Sequence, residues 1–210
     1  MQMLTELGCE AFMERLASDA PTPGGGGGAA LAAALGAALA GMVANLTVGK
    51  KNYLAVEAEV VVLRDRAAML RTGLLELVDE DARAFEGFML CYKMPKSTEQ
   101  EQQQRTLALR AAAKKAAGVP MEIARKCLQV LELAGRLTCI GNTNAITDAA
   151  CSALLARAAL RCAYYNVYVN LLLTKDEDFN NALSKELHAL LVQAELLEKQ
   201  VLAGTDKTLG

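Results

Sequence analysis

Two aspartates, a glycine run and a few polar side chains in apolar surroundings carry the chemistry this sequence can offer. Asp81 stands in "DEDARAF". On a helix, Asp81, Phe85, Phe88 and Tyr92 fall on adjoining turns of one side. An acid beside such an apolar face has its pKa raised by desolvation, which suits a proton donor. The alternative is an exposed acid in a charged run, with Arg83 close by. Asp148 follows "GNTN", in the first turns of a later helical pattern. The helix dipole favours a carboxylate there, either as a catalytic group or as a plain dipole partner. Asn166 and Asn170 lie one turn apart inside an apolar run and need hydrogen-bond partners, in a neighbouring helix or in a ligand. The single histidine, His188, sits among charged neighbours in "SKELHALL" and reads as a surface or partner-contact residue. Acid–base work then falls to carboxylates and lysines.

The longest signal is "PTPGGGGGAALAAALGAALAGMVANLTVGKK", from Pro21 to Lys51. Glycines that open a helix present free backbone N–H groups beside a positive dipole end, a natural anion site. A flexible turn or a close helix contact explains the same residues. The run is not a Walker A loop, because no G-x-x-x-x-G-K-[ST] occurs. It is not a dinucleotide fingerprint either, because no strand precedes it. The stretch is long enough to span a membrane. Its Ala and Gly content, with Asn45 and Thr47 near one end, fits better with the buried central helix of a bundle.

These residues need elements to hold them. The chain has 210 residues, 53% of them apolar, so a sizeable core is available. The apolar mass is Ala, Leu, Val and Met, mostly helix formers, and no alternating strand pattern appears. An all-α bundle of about six or seven helices, several of them long and with no sheet, is expected in one domain. The expected spans are Thr5 to Ala17, Gly27 to Gly49, and a long helix after Asn52 reaching Met94 with a break near Gly73. Then come Thr98 to Ala117 with a Ser97/Gln100 capping box and Gly118 as its close, Pro120 to Leu137, and Asn144 to Lys175. A last helix is capped by Asp178 and ends before Gly204. Helices this long outgrow a single compact core and point to a homo-oligomer. The net charge of −2 leaves no basic stripe for nucleic acid. The six cysteines form no C-x-x-C and read as buried free thiols of a reducing compartment, not as disulfides or zinc ligands. The N-terminus lacks the basic and apolar regions of a signal peptide.

The opening stretch "LASDAPTPGGGGGAALAAALGAALAGMVANLTVGKK" resembles the signature of the cyclodeaminase/cyclohydrolase family. That family includes the C-terminal domain of formiminotransferase-cyclodeaminase and free-standing methenyltetrahydrofolate cyclohydrolases. "DEDARAF", "MPKST", "VP", "GNTNAITDAA" and "NVYVNL" follow in the same order, so the likeness runs from about Leu7 to Phe179. One departure stands out. The family usually reads P-G-G-G-S, and Gly27 occupies the place of the Ser.

The resemblance implies an all-helical homodimer in the cytoplasm acting on a folate, polyglutamylated or not, with no nucleic acid or membrane partner. It implies one of two reactions: hydrolysis of 5,10-methenyltetrahydrofolate to 10-formyltetrahydrofolate, or cyclisation of 5-formiminotetrahydrofolate with release of ammonia. A chain without a formiminotransferase domain leans toward the first. Neither requires a metal or a cofactor beyond the tetrahydrofolate substrate. Asp81 and Asp148 are the candidate acid–base groups. Gly24, Gly25, Gly26, Gly27, Asn45, Lys50, Asn142, Asn144, Asn166 and Asn170 are the candidate substrate contacts. Lys50, with Lys51, either neutralises the glutamate tail or snorkels at a helix end. Asp148 and Asn166 share a face but stand about 27 Å apart along a helix. Either only one of them belongs to the site, or a second subunit supplies the other, which places the site at a dimer interface. The alternative is a non-catalytic folate-binding or helical oligomerisation module. Burial of Asp81 in a polar-lined cleft distinguishes the enzyme from the module.

Overall fold

A computed structural model describes residues 3–210. Six α-helices follow one another: α1 (Cys9–Ala17), α2 (Gly25–Thr47), α3 (Glu57–Tyr92), α4 (Glu99–Ile140), α5 (Ile146–Thr174) and α6 (Glu177–Leu209). Short 3-10 turns cover Leu4–Glu6, Lys51–Val56 and Thr143–Ala145, and no strand occurs among the described residues. The all-helical bundle read from composition is the fold observed.

The centre is a pair of small-residue helices. Ala30, Ala33, Ala37, Ala40 and Ala44 of α2 are buried, as are Ala149, Ala153, Ala156 and Ala163 of α5. Small side chains let the two backbones approach. A Cβ on Gly36 would lie 2.9 Å from the Ser152 carbonyl oxygen, and the Ser152 hydroxyl donates to the Gly36 carbonyl at 2.7 Å. Around this pair, α3 packs on α2, α4 lies against α3 and α5, and α6 covers α4 and α5. Buried Leu74, Leu131, Leu137, Leu160 and Leu187 fill the spaces between them, each contributing about 1.5–3 kcal/mol by leaving water. Among the described residues, α2 is the one helix long and apolar enough to cross a membrane, and half of its apolar window is buried inside the protein.

Several expected breaks are not breaks. The two helices expected over 98–117 and 120–137 are one, with Pro120 inside α4. A proline there removes the N–H that would bond the Ala116 carbonyl. Asn170 on α5 replaces it, its Nδ2 donating to that carbonyl at 3.3 Å. Gly73 sits within an unbroken α3, where its missing Cβ leaves room for Lys126 Nζ at 3.2 Å. Gly204 lies inside α6, against Thr138 of α4, and the helix runs on to Leu209. In the first segment, Gly8 is extended, so helix α1 begins only at Cys9. The preceding turn is tied down by buried Asp79, which accepts from the Leu4 N–H and from the Thr5 hydroxyl. The caps shift by a residue or two. Thr98 and Glu101 form the capping box of α4, and Asp176 caps α6. The cysteines also depart from expectation: only Cys127 is buried, and Cys9, Cys139, Cys151 and Cys162 are exposed. Burial pushes the Cys127 thiol well above its ordinary pKa.

Candidate functional site

The glycine run forms the first turn of α2, with Gly24 as its N-cap in extended conformation. The loop before it is pinned by Arg15, whose Nε donates to the Thr22 carbonyl at 3.0 Å. The first N–H groups of a helix lack partners within it. One of them, on Gly27, donates to Asp81 Oδ2 at 2.9 Å. The contact requires a bare backbone at the preceding position. A Cβ on Gly26 would stand 2.6 Å from Asp81 Cγ and 2.8 Å from Oδ2, distances that real Cβ atoms do not adopt. Asp81 of α3 is thus laid across the open end of α2.

A cavity of about 340 Å³ opens beside this contact. The glycine loop supplies one wall, with Pro21, Thr22 and Gly24 to Gly26. Phe85 and Phe88 of α3 and Ala116 of α4 supply others, and Asn166, Val169, Asn170 and Leu173 of α5 complete it. Asp81 is the one ionisable side chain among the described residues lining it. Burial raises its pKa above the ordinary carboxylate value, and the Gly27 N–H pulls in the opposite direction. Desolvation is the larger effect. In a mostly apolar cavity, a carboxyl raised above its ordinary range is a better proton donor than a free one and can still accept a proton when ionised.

Seven candidates meet here: Asp81, Gly24, Gly25, Gly26, Gly27, Asn166 and Asn170, with Gly27 contributing through the Asp81 contact. The others lie elsewhere. Asn45 lines a cleft between α2 and α3 with Arg64 and Arg71. Lys50, Asn142 and Asn144 line another cleft with Tyr53, past the far end of α2, about 33 Å along the helix from the glycines. Asn142 ties the start of the Thr143–Ala145 turn to the end of α2. Its Nδ2 donates to the Leu46 carbonyl and its Oδ1 accepts the Asn144 N–H. Asp148 is half-buried in the first turn of α5 and lines neither of these clefts nor the Asp81 cavity. Tyr92, expected on the Asp81 face, is exposed beneath Arg105. His188 is exposed and edges against Tyr164 and Tyr168. Among the described residues, no three His, Cys, Asp or Glu side chains gather as a metal group.

Sequence reasoning missed the wall formed by Val169 and Leu173, although both follow from helical spacing beyond Asn166 and Asn170. It also missed the contribution of α4. Nothing local at Ala116 marks it; only the proline four residues later does.

A family model described as "Formiminotransferase-cyclodeaminase" matches residues 8–189. The chain belongs to this family. The family was already legible in the ordered motifs, and the match extends across the glycine loop, Asp81 and both asparagines. Among its relatives, the methenyltetrahydrofolate cyclohydrolase of Methylorubrum extorquens is 42% identical over 192 residues, covering 91% of this chain and 92% of that protein. The formimidoyltransferase-cyclodeaminase of Rattus norvegicus is 31% identical over 205 residues, covering 98% of this chain. The chain spans 38% of the length of that rat protein. The crystal structure of a formiminotetrahydrofolate cyclodeaminase from Thermotoga maritima superposes with a TM-score of 0.88 at 32% identity, covering 98% of both chains.

Proposed function

We propose that this member of the formiminotransferase-cyclodeaminase family works on the methenyl bridge of tetrahydrofolate in the cavity beside Asp81. The protein is an enzyme of folate one-carbon metabolism, and its substrate is a folate. Hydrolysis of 5,10-methenyltetrahydrofolate is the preferred reading, supported by the relative matched over nearly its whole length. The observation that carries the site assignment is the Asp81 carboxyl, seated on the Gly27 N–H in a cavity with no other ionisable residue among the described residues lining it.

In hydrolysis, the Asp81 carboxylate takes a proton from water as the water oxygen bonds to the methenyl carbon. The cation becomes a neutral carbinolamine. The protonated Asp81 then returns that proton to N5 as the carbon–N5 bond breaks. The hydroxyl proton leaves to solvent as the formyl C=O forms on N10. In cyclisation, the formimino group enters as its amidinium cation. The same carboxylate takes the N10 proton as N10 bonds to the amidinium carbon, and gives it to the resulting NH2 group, which departs as ammonia and leaves the methenyl cation. Neither reaction changes the oxidation state of the one-carbon unit, so the relay needs no redox partner. One well-placed group of this kind contributes about 10²–10⁴-fold. The free N–H groups of Gly25 and Gly26 are placed to hold a carbonyl or carboxylate oxygen of the ligand.

A cytoplasmic homodimer fits this reading. Its support is an apolar face of exposed Leu35, Met42 and Leu46 on α2 with Leu154, Tyr165 and Val169 on α5, two helices that pack side by side. Val169 belongs both to this face and to the cavity wall, so a second subunit would close the site from that side. Full activity in a variant shown to be monomeric by sedimentation would remove the partner from the site.

The experiment follows the methenyl absorbance. Loss on mixing with methenyltetrahydrofolate identifies the hydrolase, and gain from formiminotetrahydrofolate identifies the cyclodeaminase. Asp81→Asn should lower either rate at least a hundredfold. No change in either assay with the parent protein, or a fully active Asp81→Asn, would overturn the proposal.

A further inference from the structure

Asn166 and Asn170 are one turn apart on α5, and both line the cavity. Their amide groups have defined directions. Asn166 Nδ2 donates to the Cys162 carbonyl at 2.9 Å. Asn170 Nδ2 donates to the Asn166 carbonyl at 2.8 Å and to the Ala116 carbonyl at 3.3 Å. Backbone carbonyls only accept, so a flipped amide would set oxygen against oxygen. The demand at Ala116 is built into α4, because Pro120 has no N–H to offer it. The Asn170 amino group has both donors committed to the protein, and Asn166 commits one of its two, to the Cys162 carbonyl, which fixes the direction of each amide. Neither Oδ1 has a donor among the described residues, and neither is sealed from solvent.

We propose that Asn166 and Asn170 are an oriented pair of hydrogen-bond acceptors that read the N–H donors of the substrate's amino-pterin ring, with Pro120 fixing the direction of one of them. This rests on the folate reading of the cavity and makes the pair specificity-determining. A ring edge carrying an exocyclic amino group beside a ring N–H matches two oxygens on one helix face. A ring that offers only acceptors there leaves those oxygens desolvated and unpaired.

The test uses the full chain and two stable ligands in calorimetric titrations: 5-formyltetrahydrofolate, and its counterpart carrying methyl in place of the 2-amino group. The parent protein should prefer the amino ligand by about tenfold to a hundredfold, the effect of leaving buried polar groups unpaired. In Asn166→Ala and Asn170→Ala, the preference of at least one should fall below about threefold. Affinity for the methyl ligand should change less than affinity for the amino ligand. Equal binding of the two ligands by the parent, or a preference left intact in both variants, overturns the acceptor pair. Should circular dichroism show either variant unfolded, the parent's preference alone decides. If the parent binds neither ligand and leaves methenyltetrahydrofolate unchanged, the folate reading itself fails, and this inference with it.

Discussion

Replacing Gly26 by alanine separates catalysis from folding. Alanine is the better helix former, by up to about 1 kcal/mol, and Gly26 is the second residue of α2. On local propensity alone the variant should be no less stable than the parent. Its Cβ would arrive 2.6 Å from Asp81 Cγ and 2.8 Å from Oδ2, so the carboxyl must swing away. Asp81 then loses the Gly27 N–H, now at 2.9 Å. A hydrogen bond to a charged group is worth about 1.5–3 kcal/mol, and a displaced proton carrier forfeits up to about 10²–10⁴ in rate. We expect kcat, followed by methenyl absorbance, to fall at least a hundredfold, while the helix gain offsets part of the lost hydrogen bond and leaves the fold only about 0.5–2 kcal/mol less stable. Gly28→Ala is the control. Its Cβ would meet only Leu16 Cδ2, at 4.0 Å, so its kcat should stay within a few-fold of the parent. A Gly26→Ala enzyme keeping more than about a tenth of parental kcat would refute this reasoning. So would an equal loss in Gly28→Ala.

Two further outcomes concern stability. Burial holds the Asp81 pKa above its unfolded value, so ionising it costs stability at neutral pH, and that cost fades as pH falls through the raised value. Asp81→Asn should therefore unfold at a higher temperature than the parent at pH 7, with the gap closing on acidification, as thermal melts across pH would show. Pro120→Ala restores the donor for the Ala116 carbonyl and should stabilise the fold by about 1–3 kcal/mol in denaturant titrations. Asn170→Ala should cost less in that background than alone, because the carbonyl it now serves would have its own helical partner.

The fold class was legible because composition and period carry it: small and aliphatic residues without alternation leave helices as the only economical solution. Element boundaries were less so, and the misses share a cause. Gly73, Gly118, Pro120 and Gly204 were read as breaks or helix ends, and each lies inside a helix. At three of these positions a neighbouring helix explains the residue: Lys126 beside Gly73, Thr138 beside Gly204, and Asn170 compensating Pro120. At Gly118 nothing lies within reach of an added Cβ, and the structure gives no reason for glycine there. Tertiary contact overrode local propensity, and single-residue propensities do not encode such contacts. The site shows the same division. Asp81 and the glycines were found because an acid on an apolar helix face and a glycine-opened helix are local patterns. Their contact across 54 residues of sequence is not local. Asn45, Lys50, Asn142 and Asn144 came from matching stretches of the family signature, which mark shared sequence without distinguishing cap from ligand. Gly27 illustrates the difference. The Ser expected there would have room, its Cβ 3.5 Å from Pro23 Cβ and 3.6 Å from the Val78 carbonyl oxygen. The group that reaches Asp81 is the backbone N–H, which Gly and Ser share.

A carboxyl that must first accept and then donate a proton needs something to change its acidity between steps, and the substrate's own charge supplies it. Methenyltetrahydrofolate carries a positive charge shared across N5, the bridge carbon and N10. Opposite unit charges about 4 Å apart attract by about 4 kcal/mol at an effective dielectric near 20. In a cavity with no competing ionisable residue among the described residues lining it, the bound cation pulls the Asp81 pKa down against desolvation, so the carboxylate is present when water must be activated. Addition of water neutralises the cation, the pull ends, and desolvation raises the pKa again. The same group is then a proton donor when N5 must leave. The consequence is measurable, because kcat/KM reports the free enzyme and kcat the substrate complex. The acid limb of kcat should lie at lower pH than that of kcat/KM for methenyltetrahydrofolate. Coincident limbs, or a kcat limb displaced to higher pH, would mean that the cation does not bind beside Asp81, and the proton relay would have to be assigned to another group.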